Sequence, residues 1–217
     1  MRATTGVRQQ RADETRKRLF AVATRLFSDC GYVETTVDAI AKLAGVAKGT
    51  FFVHYPTKDA VIAQLVHRQI EVAKQARGRS LAAGGGPIDA MRATILSLGD
   101  QAALDRGLSR AVMTANMLST ALGQNAEARF SELVEVLTGD ARAAQRARLL
   151  RRSVDPETVA IALITAYWGA LLYFATSPSP RPLADVLSPA LEANLRGFEV
   201  VPKGANGARI RLVRRSG

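Results

Sequence analysis

Few side chains in this 217-residue chain have the types and spacing that chemistry needs. Its single cysteine, Cys30, cannot close an intramolecular disulfide, and its two histidines, His54 and His67, stand apart from further ligands, so no metal-binding spacing is present. There is no glycine-rich phosphate loop and no His-Glu metal motif, which makes an enzyme a poor reading and predicts neither metal nor cofactor. One stretch stands out: AGVAKGTFFVHYPTKD, residues 44–59, sets a glycine inside a short helical pattern, then two adjacent aromatics and a proline. Gly49 costs about 1 kcal/mol of helix propensity relative to alanine. That loss makes sense where a missing side chain lets the backbone approach a partner.

The elements that must position this stretch are helical, and nothing reads as a strand ladder. Leu19, Ala23, Leu26 and Phe27 lay an apolar stripe along a helix from Asp13 to Gly31. Thr35 or Thr36 can cap a short second helix, with Asp38 as the N3 partner of Thr35 and with Val37, Ile40, Ala41 and Ala44 as its buried face. A third helix runs from about Ala47 to His54 or Tyr55 and breaks at Pro56. Thr57 then caps a fourth, which carries Val61, Leu65 and Ile70. Two short helices joined through Gly45 match the helix-turn-helix plan, in which one helix braces another that enters the DNA major groove. Ala41 is small at the crossing, Gly45 suits a positive φ, and Val46, Phe51 and Phe52 are expected to dock the second helix in the core.

The charge balance agrees with a polyanionic partner: net +11, with ten Lys/Arg against six Asp/Glu in residues 1–60, fifteen against twelve in 61–198, and five against one in 199–217. The N-terminus MRATTGVRQQR has no apolar run behind its basic residues, so export is not expected and a reducing cytoplasm fits.

The segment TTVDAIAKLAGVAKGTFFVHYPTKDAV resembles the DNA-binding segment of the TetR family of transcriptional regulators, and the likeness runs from about Asp13 to Leu65. The resemblance implies an all-α homodimer: an N-terminal three-helix helix-turn-helix domain, then a larger helical ligand-binding and dimerisation domain. It also implies a palindromic double-stranded DNA operator and release by a small, largely apolar effector of unknown identity. A protein of the same fold without an effector, or an activator, is the alternative. Carried over by position, Thr36 and Val37 would touch phosphate. Ala47, Lys48, Gly49 and Thr50 would open the groove-facing helix, His54 and Tyr55 would contact phosphate at its end, and Lys58 would sit at the start of the fourth helix, whose amides favour an anion. Ala47 departs from the small hydroxyl residue common in the family, leaving an apolar contact.

The domain reading is a flexible basic arm over 1–12, the DNA-binding domain over 13–60 with its motif at about 36–55, the regulatory domain over 61–198, and a flexible basic tail over 199–217. AAGGGP, residues 82–87, ends the fourth helix. Further helices are expected near 88–103, 108–121, 125–150, 156–176 and 183–198, with Gly139 a weak point in the third of them. Val159 to Ala175 carries no charge, at the short edge of a membrane span, but the Asp155-Pro156-Glu157 start and the lack of a second span argue for a soluble helix. By the resemblance, helices 156–176 and 183–198 form the homodimer interface. Met91, Ile95, Met113, Met117, Leu118, Phe130, Leu133 and Trp168, with Asn116 and Tyr167 as polar handles, are candidates to line a ligand cavity.

Overall fold

A computed structural model describes residues 3–118 and 120–200, with side chains for 7–118 and 131–200. Its first helix, α1 (Ala3–Cys30), begins well before Asp13, so residues 3–12 of the segment expected as a flexible arm are helical. No proline interrupts it, and Gln9 and Gln10 donate to Asp13 and Glu14 one turn on, at 3.3 and 3.5 Å. Thr36, not Thr35, caps α2 (Val37–Leu43): its hydroxyl accepts from the Ala39 amide at 3.1 Å. Thr35 is buried and donates to the Gly31 carbonyl at 2.7 Å, and Asp38 is released from the capping role assigned to it. Gly45, at φ +66°, makes the turn into α3 (Lys48–His54). Thr57 caps α4 (Lys58–Ala82).

These four helices share one core in which Leu19, Phe27, Ile40, Phe51, Tyr55 and Ile62 are buried. It is completed by Ala111, Val112 and Ala115 from a later helix, α6 (Arg106–Leu118). A second core unites α5 (Pro87–Ala103), α7 (Thr120–Arg146), α8 (Pro156–Thr176) and α9 (Leu183–Phe198). Among the described residues these nine helices are the regular structure, and an isolated bridge joins Leu150 to Glu199. The chain is all-α, with the N-terminal helix-turn-helix followed by a larger helical domain.

Three sets of polar contacts fix the second layer. Arg77 of α4 grips the buried Asp140 of α7 with two bonds of 2.6 and 2.7 Å, and Lys74 reaches Glu132 at 2.8 Å. Arg92 of α5 holds Glu192 of α9 at 2.6 Å. Arg106 and Arg110 of α6 donate to the carbonyls of Phe174, Ser177 and Ala175, satisfying the C-terminal end of α8. Gly139 does not interrupt α7, and Leu137, Ala141 and Ala144 bury one face of the helix on either side of it. The expected flexible tail lies beyond Val200 outside the described residues, but Glu199 and Val200 themselves pair with the chain at 149–150.

Among the described residues, α8 alone is long and apolar enough to cross a membrane, and half of its most apolar window is buried against the protein.

Candidate nucleic-acid interface and the cavity behind it

The start of α3 is the exposed edge of the first layer. Ala47, Lys48 and Gly49 face solvent and Thr50 is half-buried, while Phe51, directly behind them, is wholly buried and Val46 packs on the same core. A Cβ added to Gly49 would meet no atom of the protein within 4 Å. Internal packing therefore does not require glycine here, and the open space faces outward. The Lys48 ammonium lies 2.7 Å from Asp38 in an exposed pair that links α2 to α3. Such a pair is worth about 0–1 kcal/mol, so the ammonium can exchange its partner at little cost.

The other expected contact residues divide. Thr36 is exposed, and Val37 and His54 are half-buried. Tyr55 is a correction: it is 1% exposed, and its hydroxyl is taken by Gln64 at 3.1 Å and the Arg16 carbonyl at 3.4 Å. It stands one turn after Phe51 and shares that residue's inward face, with ring centroids 5.7 Å apart. Phe52 is a second correction, since it is 47% exposed and packs edge-on against Phe51 at the rim, outside the core. Lys58 is a third. Its ammonium donates to the carbonyls of Tyr32, Val33 and Thr35 at 2.8, 3.3 and 3.2 Å and lies 4.2 Å from the Tyr32 ring centre. Three donors meet three carbonyls, so Lys58 braces the turn that presents Thr36. Burial draws its pKa below the usual lysine value, and nearby Glu34 pulls it back. Tyr32 in turn donates to Asp59, tying the same turn to α4.

Behind this layer a cavity of about 100 Å³ is lined by Val66, Gln69, Ile70, Leu98, Val112, Asn116, Leu133, Ile164, Tyr167 and Trp168. Asn116, Leu133, Tyr167 and Trp168 are expected members. Met91 and Ile95 instead fill the second core completely, Met113 packs against that core, and Met117 and Leu118 point outward with 77% and 64% exposure. The Phe130 side chain lies outside the described residues. The missed members Val66, Gln69 and Ile70 sit at helical spacing on α4, a stripe the sequence displays but ordinary core would display as well. Every described lining group is uncharged. Tyr167 is almost wholly buried, which pushes its pKa above the usual tyrosine value and keeps the hydroxyl a donor, and among the described residues that hydroxyl has no hydrogen-bond partner. Asn116 spends one amide hydrogen on the Val112 carbonyl at 2.9 Å. Among the described residues no group of three or more His, Cys, Asp or Glu side chains could hold a metal ion.

Helix α6 touches both regions. Val112 and Asn116 line the cavity, and Val112 also belongs to the first core. At its other end Asp105 accepts from Ser28 of α1 at 2.7 Å, and a Cβ on Gly107 would come within 2.4 Å of the Ser28 carbonyl. Only glycine permits that approach of α6 to α1.

Comparison with known proteins agrees with this arrangement. The family described as "Bacterial regulatory proteins, tetR family" matches residues 19–65. The HTH-type transcriptional regulator UidR of Escherichia coli is 25% identical over 163 residues, covering 75% of this chain and 83% of its own. The structure of Thermus thermophilus FadR, a TetR family transcriptional repressor in complex with lauroyl-CoA, superposes with a TM-score of 0.70 at 28% identity, over 89% of this chain and 100% of that one. SmeT, the repressor of the Stenotrophomonas maltophilia multidrug efflux pump SmeDEF, shares the fold with a TM-score of 0.70 at 23% identity, over 89% and 94% of the two chains. Residues 19–65 carry the helix-turn-helix of the TetR family of bacterial regulators, and the chain as a whole shares the fold of TetR family repressors.

Proposed function

We propose that this protein represses transcription as a homodimer, each subunit setting the start of α3 into the major groove of one half of a palindromic operator, and that a small, uncharged, largely apolar molecule releases it. The observation that carries this reading is the exposed Ala47-Lys48-Gly49 edge held by the buried Phe51. Lys48 and Thr50 are the donors that reach bases or phosphate, Ala47 offers an apolar contact, and Thr36, Val37 and His54 flank the groove. Lys58 acts by positioning. Residues 13–60 form the DNA-binding unit and 61–198 the regulatory one, working on chromosomal DNA in the cytoplasm. Dimerisation is supported by the outward face of α8, where Ile161, Thr165, Gly169, Leu172 and Tyr173 are exposed and uncharged. The adjacent face of α9 presents Ala184, Pro189 and Ala193.

The cavity supports the release step. A closed apolar space of about 150 Å³ takes one benzene, and this one is about 100 Å³. A ligand larger than a few heavy atoms must therefore part α4 from α6 and α7. Through Gly107 and Ser28 that displacement reaches α1, and through Lys58 it reaches the turn before α2. Two recognition helices must hold a separation of about 34–36 Å or a multiple of it, so a modest rotation weakens binding.

Selection of genomic fragments by the purified protein, followed by gel shift with and without a methyl ketone series from butanone to decan-2-one, tests both halves. Enrichment of an inverted repeat whose complex dissociates with a ketone supports the proposal. A complex that no ketone disturbs favours the effector-free alternative, and no enriched sequence removes the proposal.

A further inference from the structure

Beyond the three arginines of residues 1–12, most of the positive charge of this protein lies away from its helix-turn-helix. Residues 13–60 hold seven Lys/Arg against six Asp/Glu, and residues 61–140 hold eight of each. Residues 141–155 hold five arginines and a single acid, Asp155, which is occupied in capping α8. The last segment, 199–217, holds five more Lys/Arg against one Glu. The first two residues of the second stretch are held against the first stretch. The Arg151 amide donates to the Phe198 carbonyl at 2.9 Å, the Val200 amide donates to the Leu149 carbonyl at 3.0 Å, and the Arg151 guanidinium donates to Gly197. Val200 thus lies beside the arginine-rich connection between α7 and α8.

Arg142, Arg146, Arg148 and Arg152 are exposed, and among the described residues none has an acidic partner. The nearest acid before them in sequence, Asp140, is consumed by Arg77. The surface lies at the N-terminal end of α8, while the other end of that helix is gripped by Arg106, beside the contact of α6 with α1. Twenty-one residues of helix separate the two ends, about 30 Å at 1.5 Å per residue. One duplex lying against the start of α3 does not explain cations at the far end of the regulatory domain.

We infer that this end of the molecule is a second polyphosphate-binding surface whose occupant is duplex DNA, so that a subunit holds one segment of DNA at α3 and a second at the α7–α8 connection. All the described cations are arginines, whose planar guanidinium matches phosphate oxygens two at a time. The exposed apolar groups among them are Leu149 and Val200, too few to seat in a bilayer. The contact reads no sequence. It raises the residence of the protein on DNA and allows it to bridge two segments.

The test uses the full chain with α3 disabled by Lys48→Ala and Thr50→Ala, and measures affinity for a random-sequence 30-bp duplex from 50 to 200 mM salt. Arg142→Gln, Arg146→Gln and Arg152→Gln are then added together; Arg151 is spared because it holds the chain at Gly197. Each phosphate contact contributes about 0.9 to the slope of log affinity against log salt. The three arginines should remove about 2.7 of that slope, so the fourfold rise in salt costs the parent about 40-fold more affinity than the triple variant. An unchanged slope with an unchanged melting temperature overturns the inference. So does a loss confined to vesicles containing 30% phosphatidylserine, which would assign the surface to a membrane. Failure of the operator proposal would leave this readout intact, because α3 is already disabled in the parent.

Discussion

Replacing Lys58 with methionine separates two roles that a single binding assay would confuse. The ammonium makes three bonds, at 2.8, 3.2 and 3.3 Å, to carbonyls of the turn between α1 and α2. It also lies over the Tyr32 ring. Hydrogen bonds to a charged group contribute about 1.5–3 kcal/mol each when buried, but this turn is partly wet and the three bonds share one donor group. Methionine keeps the packing of the stem. The net loss should be about 2 kcal/mol, which for a chain of this size lowers the melting temperature by about 4–8 °C. Amide exchange over residues 31–36 should accelerate, because Thr36 loses the support of the turn before it. Operator affinity falls through that loosening, and the salt slope of binding stays as in the parent. A stable Lys58→Met protein whose salt slope drops by about 0.9, the signature of one lost phosphate contact, would refute the positioning role and restore a direct one.

The remaining predictions concern the cavity and the packing that couples it to α1. Tyr167→Phe should leave the unliganded melting temperature nearly unchanged, since the hydroxyl makes no hydrogen bond among the described residues, while the affinity for decan-2-one falls about tenfold for about 1.4 kcal/mol; calorimetry measures both. Gly107→Ala should destabilise the fold by about 1–3 kcal/mol through overpacking against the Ser28 carbonyl. It should also weaken ketone-induced release more than ketone binding, as gel shift and calorimetry together would reveal. For pH, the Arg92 guanidinium bonded to Glu192 holds that carboxyl below its usual value of 4.5. Its stabilisation is therefore complete above about pH 4.5 and is lost as pH falls through the lower folded value. Glu192→Gln should reduce stability at pH 7 and flatten the acid limb of the melting-temperature profile between pH 5 and 3.

The helix bounds that carry strong local punctuation were legible before any coordinates. Asp155 and Pro156 open α8, Gly86 and Pro87 open α5, and Gly45 makes the turn before α3. Those signals are chemical and local. Tyr55 was legible too, for it follows Phe51 by four residues and so faces inward, while Phe52, about a quarter-turn round the helix, cannot. The family pattern led elsewhere, and spacing was the better guide. Lys58 was not legible, because the carbonyls it braces lie some twenty-five residues back in the chain, in a turn whose path no local rule fixes. The cavity was readable only in part. An apolar stripe says which face is buried but not whether the buried face meets another side chain or a gap, so Met91 and Tyr167 look equivalent until four helices are set around them.

In the proposed complex two copies of α3 read one face of a duplex with Lys48 and Thr50. Hydroxyl-radical footprinting on the operator recovered by selection addresses it most directly. Two protected patches should appear on the same face of the helix, one turn or an integral number of turns apart, both lost in Lys48→Ala/Thr50→Ala at unchanged melting temperature. A single patch, or a footprint that persists in the double variant, would contradict it.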